Sequence, residues 1–471
     1  EAPAAAARRA TTARAASSSP RRTPPPADQH PVRLEPSRRL RSPQPRSLRL
    51  PPERRRRGDI IAAAVLALLL IGAGLTVWRT SPVAHTADEP AAIPISQPPA
   101  AADVPAGFTE AWRQPSGATD QPVVAGPAAV TADGSRVVGR DAATGTEGWS
   151  YSRDRPLCTV DSAFPDGGVR RVLALYAGTT GYCSELTALR SDTGTRLAAS
   201  NPDVRPGTRL VADRTYVVAT GADYLEVWRS DLVKTLEYGV VTTPVQAGRQ
   251  PRPGCTYGSV AVSGGRVGVI ERCPGEGTDR LTVLAADGDG GADKPQVEFS
   301  VPLPSAGATL VALSADRAAV ALPGPPRLEL LDGAGQQVGL VPLDVPDADL
   351  ATDAPGRIAT TESTVGSANV TGAGDGRVYW WTGSRTIALD GTDLAPLWTV
   401  DGTLGPALPY GRGLLVPVPA GLLDLDATRG TALRTLPVAR ADPTAPVRLA
   451  AVGNVLLEQR GTEVVALRPT G

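Results

Sequence analysis

Eight short strings in the last three quarters of the sequence resemble one another: GRDAATGTEGW (139–149), LTALRSDTGTRL (186–197), LEVWRSDLVKTL (225–236), LTVLAADGDGG (281–291), LELLDGAGQQVGL (328–340), TIALDGTDLAPLW (386–398), LLDLDATRGTAL (422–433) and EVVALRPTG (463–471). Each is an apolar strand followed by a turn of Asp, Gly, Thr or Ser, and in most copies by a second strand. The turns recur every 36 to 58 residues. A strand–turn–strand unit repeating at that period cannot bury its apolar face alone. It does so by stacking on neighbouring copies, which predicts a β-propeller.

The register predicts how the ring closes. In the last unit, 447–453 is a first strand, 454–461 a second and 463–471 a third, after which the chain stops one strand short. At the other end, FTEAWRQ (108–114) is a strand with no preceding partner, and its Trp112 matches Trp149 of TEGWSYS. The N-terminal strand is expected to supply the missing fourth strand and so remove an open sheet edge. Units of about 45 residues suit four short antiparallel strands. The expected fold is all-β, an eight-bladed propeller over 107–471, with seven blades as the alternative.

Strand–Asp-x-x-Thr-Gly–x-x-x–Trp, as in RDAATGTEGW, resembles the repeat of the quinoprotein-dehydrogenase-like propellers, BamB-like in type. The clearest copies carry Asp141, Thr144 and Gly145; Asp192, Thr193 and Gly194; and Asp426, Thr428 and Gly430. Trp149 and Trp398 follow the turn as the family Trp does, and are read as packing between blades. The resemblance implies the fold. It does not extend to the quinone: quinone-using relatives add inserted loops, a vicinal disulfide, calcium ligands and an Asp base, whereas these blades are short and hold no Cys-Cys pair.

The formal net charge is zero, but residues 1–58 carry fifteen Arg against four acids, leaving the remainder at −11. Segment 1–58, rich in Arg, Pro, Ser and Ala, lacks apolar clusters and is expected to be a disordered basic cytoplasmic tail. Ile60–Trp78 is nineteen residues without a charge, about the thickness of a bilayer core, so 59–79 reads as a transmembrane helix. Arg54 to Arg57 precede it, and after Arg79 no basic residue occurs before Arg113. The positive-inside rule then gives a single-pass type II protein with its N-terminus inside and its propeller outside the cytoplasm. A cleaved signal peptide is the competing reading. Residues 80–106, with six prolines, read as a Pro/Ala-rich linker, a spacer lifting the propeller off the membrane. Met is absent and Lys occurs only at 234 and 294. Residue 1 is therefore not expected to be the translation start, and the bias suits a high-GC, actinobacterial genome.

Cys158 precedes the first strand of the second blade and Cys183 follows its second strand; Cys255 and Cys273 take the same places in the fourth. The start of one strand lies beside the end of its antiparallel neighbour, so two disulfides, 158–183 and 255–273, are expected. They suit an exported compartment.

Both histidines, His30 and His85, lie outside the repeats. That excludes histidine-based nucleophilic catalysis and histidine-ligated metals in the propeller. Asp287, Asp289 and Asp293 resemble a calcium loop, but Gly291 stands where an acid is needed and no closing Glu follows, so an acidic turn is expected. Tyr379, Trp380 and Trp381 are consecutive on one strand, as inter-blade packing or as an aromatic anchor for a partner. These features predict a non-enzymatic envelope scaffold for an unnamed protein partner, with no cofactor, metal or nucleic acid. A ligand-sensing ectodomain and a quinone-binding enzyme are the alternatives.

Overall fold

The computed structural model describes residues 57–166, 169–288, 291–351 and 376–470. One helix, Arg57–Thr80, is long and apolar enough to cross a membrane, and none of its residues is buried.

Between 107 and 470 the described residues build eight antiparallel sheets, the blades of a propeller. Blade 1 is typical. Its strands are Val123–Ala125, Ala128–Asp133, Arg136–Asp141 and Glu147–Ser152, each paired with the next. First to third strands are short runs of Val, Leu and Ala and are mostly buried. Most fourth strands are more exposed, as in Gln337–Pro342, Pro396–Asp401 and Ala432–Pro437, while Glu147–Ser152 and Lys234–Gly239 are largely covered. First strands therefore lie innermost and fourth strands form the outer rim. Blade 6 shows three strands among the described residues, Arg377–Trp381, Arg385–Asp390 and Pro396–Asp401. Its Asp turn, after Asp390, precedes the last of them, so these are the second, third and fourth strands.

Antiparallel order gives the ring two sides. Turns joining first to second and third to fourth strands lie on one, here the turn side. Second-to-third turns and the links to the next blade lie on the other, the connection side.

Blade 8 closes as its register predicts. Val447–Val452, Val455–Arg460 and Glu463–Thr470 are joined on the outside by Gly107–Pro115, with Phe108 opposite Pro469 and Gln114 opposite Val464. The core is a series of clusters between neighbouring blades, one of which seats Tyr151 and Trp149 of blade 1 against Val172 and Tyr176 of blade 2.

The repeat motif serves that packing. Trp149, on the fourth strand of blade 1, donates its indole N–H to the Ser191 carbonyl of the next blade's turn, 2.8 Å away. Trp112 reaches Ala142 at 2.8 Å and Trp398 reaches Ala427 at 2.9 Å. Above each ring stands the turn glycine, Gly145, Gly194 or Gly430, with φ near +70°. A Cβ on these glycines would fall 2.5–2.7 Å from the indole below. Blades 3 and 6 invert the arrangement. Leu232 and Leu394 hold the glycine's place, at φ 62° and 61°, and both are buried. The preceding fourth strands there carry Ala198 and Gly339 at the Trp position. Volume removed from one blade is returned by the other.

This hydrogen-bond pattern also corrects one alignment. The N–H groups of Gly145, Gly194 and Gly430 donate to the carbonyls of Asp141, Arg190 and Asp426. Arg190, not Asp192, therefore matches Asp141. Asp192 sits two places further on, paired with Arg190 at 2.7 Å.

The segment before the propeller is not a free spacer over Ala87–Val104. Ala87–Glu89 adds a fifth strand outside blade 1, Ala87 opposite Ser152 and Glu89 opposite Ser150. The chain then crosses the turn side. Ala91 N–H and Ile95 N–H donate to the carbonyls of Thr193 and Asp192 in blade 2 (2.8 and 2.9 Å). Pro98 and Pro99 lie against Gly453 of blade 8, and Ala102 against Gly411 of blade 7, where added Cβ atoms would come within 2.7 Å of strap carbonyl oxygens. Proline leaves those carbonyls free and keeps the chain extended, which is why a Pro-rich sequence can be held flat on a surface.

Candidate functional site

Both disulfides form as the register predicts, Cys158–Cys183 and Cys255–Cys273, closing 25 and 18 residues. Cys158 lies in the first strand of blade 2 (Leu157–Asp166), and Cys183 in the connection-side loop, where its N–H bonds to the Val204 carbonyl. Cys255 leads into the first strand of blade 4, and Cys273 follows the second.

The structure does not bring the three aromatics together on a surface. Tyr379 is fully buried between blades 6 and 7, its ring 5.8 Å from that of Trp398. Trp380 points the opposite way, into the blade 5–6 cluster, as alternation on a strand requires. Trp381 is 7% exposed, donates to the Thr403 carbonyl at 3.1 Å, and has the Arg448 guanidinium 5.4 Å above its ring.

Of the acidic loop, Asp287 and Asp293 are described and Asp289 is not. Asp293 is largely buried and both its oxygens accept from Arg249 at 3.2 Å. Arg249 and Asp293 line a cavity of about 170 Å³ with Val240, Pro244 and Gln246. Ligand sites usually span roughly 300–1,000 Å³. Among the described residues, no three of His, Cys, Asp or Glu are grouped to hold a metal.

Ionic groups inside the ring are structural ties. Glu458 is fully buried and takes Arg440 (2.7 Å) and Arg460 (2.6 Å), while Arg440 also donates to the Val418 and Gly421 carbonyls. In blade 3, Glu226 accepts from Tyr224 (2.9 Å) and Trp228 (2.6 Å); burial raises its pKa against the opposing pull of Lys234. In blade 4, Glu271 accepts from Tyr238 (2.5 Å) and Arg252 (2.9 Å), which anchors the link before Cys255. Asp161, on the innermost strand of blade 2, is different. Burial lifts its carboxyl to about 7, against the Ser162 N–H, Arg170 and Gln121, and nearby Asp120 pushes the same way. Asp120 is itself paired with Arg209.

The feature with the geometry of a recognition site is the turn side under the strap. Two strap N–H groups are accepted by turn carbonyls of blade 2. On blade 7, Arg412 grips Asp103 through two 2.6 Å bonds and holds that carboxyl below the usual range. The Arg412 N–H meets the Ala102 carbonyl at 3.0 Å, and Arg434 the Val104 carbonyl at 2.7 Å. Ala91 and Ile95 pack on the blade 1–2 cluster, and Ala101 and Val104 on the blade 7–8 cluster. Sequence reading missed this site, because proline and alanine alone suggest a spacer; Ile95 and Val104, apolar residues spaced along it, were the available sign.

The fold defines the class of protein: an all-β, eight-bladed propeller, preceded by one apolar helix. No known family profile and no curated protein matches the chain. Solved structures similar to it include BamB from Moraxella catarrhalis, at 13% identity and TM-score 0.44, covering 77% of this chain and 99% of that one. The quinohemoprotein alcohol dehydrogenase ADHIIG from Pseudomonas putida HK5 follows at 14% and 0.46, covering 77% and 76%. Apo AztD from Citrobacter koseri stands at 14% and 0.42, covering 70% and 87%. Likeness at this level speaks to architecture alone, since one fold hosts unrelated activities.

Proposed function

We propose that this chain is a single-pass type II membrane protein whose propeller, outside the cytoplasm, is a non-enzymatic protein-interaction scaffold of the cell envelope. The helix, the arginines before it and the two disulfides support the membrane and compartment parts of the reading. The observation that carries the scaffold part is the strap: the ring already holds an extended peptide across four blades by main-chain hydrogen bonds, glycine contacts and an Arg–Asp pair. A surface built that way recognises extended protein segments in general. Tyr379 and Trp380 lie between blades, so the proposed partner contacts are the exposed turns rather than the aromatic strand.

The test is photo-crosslinking in native membranes from Thr144 and Arg429, exposed on the turn side, with Pro253 on the connection side as comparison. A discrete protein adduct from the turn side is expected. Absence of any adduct, or a stoichiometric quinone chromophore on the purified protein, would favour the enzyme reading instead.

A further inference from the structure

The path of the chain into the ring fixes which part of the propeller meets the lipid surface, given the membrane-anchor reading above. The helix ends at Thr80, with Trp78 exposed at its last turn, a residue suited to the headgroup level. The chain then does not run free. The Ser81 hydroxyl donates to the Trp78 carbonyl at 2.7 Å, Pro82–His85 forms a 3-10 turn, and the His85 ring lies 2.6 Å from the Arg79 carbonyl oxygen. At Ala87 the chain is already in the blade 1 sheet. With four of the six intervening residues in a turn rising about 2 Å each, the reach from Thr80 to Ala87 is roughly 20 Å. That is the length of one blade strand.

The direction of arrival is equally defined. Ala87 stands opposite Ser152, which itself stands opposite Arg136, so these three residues lie in one row across adjacent strands. Ser152 is the last residue of its strand and Arg136 the first of its own, which puts the row at the connection side. The chain climbs from there to Glu89 and crosses the turn side afterwards. The third-to-fourth-strand turns, with Asp141, Asp231, Asp332, Asp390 and Asp426, are thus at the far end of the blade from the point of arrival.

We infer that the connection-side end of blade 1's outer edge, around Ser135, Arg136 and Ser152, rests against lipid headgroups, and that the acidic turn side with its strap faces away from the membrane. The ring is held down by a short, structured neck. Its proposed recognition surface is therefore turned towards the envelope, where a soluble or distant partner can reach it.

The experiment uses the full chain in vesicles. All four cysteines are in disulfides, so one added cysteine is the sole thiol. Ser135→Cys and Ala143→Cys sit at opposite ends of blade 1, roughly 20 Å apart by strand rise. Each is labelled with a small fluorophore and titrated with lipid carrying a headgroup nitroxide. Quenching should be several-fold stronger at 135 than at 143. Inserting about thirty Gly/Ser residues between Thr86 and Ala87, a flexible span of roughly 30 Å, should abolish that difference. Equal quenching, stronger quenching at 143, or a difference that survives the insertion would overturn the orientation. Failure of the labelled protein to float with vesicles would instead overturn the membrane-anchor reading on which it rests.

Discussion

The turn glycines and the indoles beneath them act as reciprocal volumes, and the two inverted blades show that the exchange works in both directions. Trp149→Ala should cost about 3–5 kcal/mol, as for other buried large-to-small changes. Gly194→Leu should also destabilise, since its side chain would enter the indole and its φ of 74° disfavours a Cβ. The double variant recreates the Ala198–Leu232 arrangement of blades 2 and 3. It should be more stable than the sum of the two single losses allows, and urea melts of the four proteins would measure the coupling; strict additivity would count against reciprocal packing. Asp161 offers a second test. Its folded carboxyl keeps a proton up to about 7, whereas the ordinary value is 3.8. Between these values the folded state binds more protons than the unfolded one, so stability falls as pH rises through that window and is level above it. Asp161→Asn removes the titration. Its melting temperature should gain on the parent's between about pH 4 and pH 7 and hold a constant lead beyond; parallel profiles would refute the assignment. Trp149, Trp398 and the glycines were legible in the sequence because they recur. Leu232 and Leu394 were not, because a leucine in the left-handed region carries no mark of it. Asp192 misled for a related reason: a turn tolerates its acid at either of two places when an arginine fills the other.

Among the elements, the disulfides were readable because strand register alone places each pair at adjoining strand ends. Each closes a loop of about twenty residues, so removing either by paired Cys→Ala substitution should cost about 3 kcal/mol. Non-reducing peptide mapping should recover 158–183 and 255–273, and a 158–255 peptide would contradict the blade assignment. The strap was not legible. Its backbone makes the contacts, and backbone hydrogen bonds leave little trace in side-chain pattern. Arg412 and Asp103 are 309 positions apart in the chain, and only the folded ring reveals that they are neighbours. The aromatic strand shows the opposite limit. Alternation sends Tyr379 and Trp380 to opposite faces, but whether those faces meet water or another blade depends on closure, a property of the whole ring.

At the scale of the whole molecule, period and end-matching pointed to eight blades, with seven as the alternative, and to the closing strand; the structure has eight. Period survives the degeneracy of single copies because every blade must span the same distance from axis to rim. Deleting residues 107–115 should leave blade 8 with an open edge at Glu463–Thr470. The product should aggregate or lose its single cooperative melt, as followed by light scattering and calorimetry. An unchanged melt would mean that closure lies elsewhere.

That closing strand also imposes an order on the life of the chain. Gly107–Pro115 is synthesised about 350 residues ahead of its partner Glu463–Thr470. At roughly 5–20 residues per second, the first strand waits on the order of tens of seconds for its mate. Throughout that interval the main-chain edge of the strand is exposed to every other unfinished chain nearby. Its immediate upstream neighbour, Pro98 to Val104, is rich in proline and alanine, a poor template for pairing with strangers. A nascent chain that stops before blade 8 leaves Gly107–Pro115 without its partner, so the unpaired strand is a built-in mark of an incomplete ring, available to any protease or chaperone that recognises a bare β-edge.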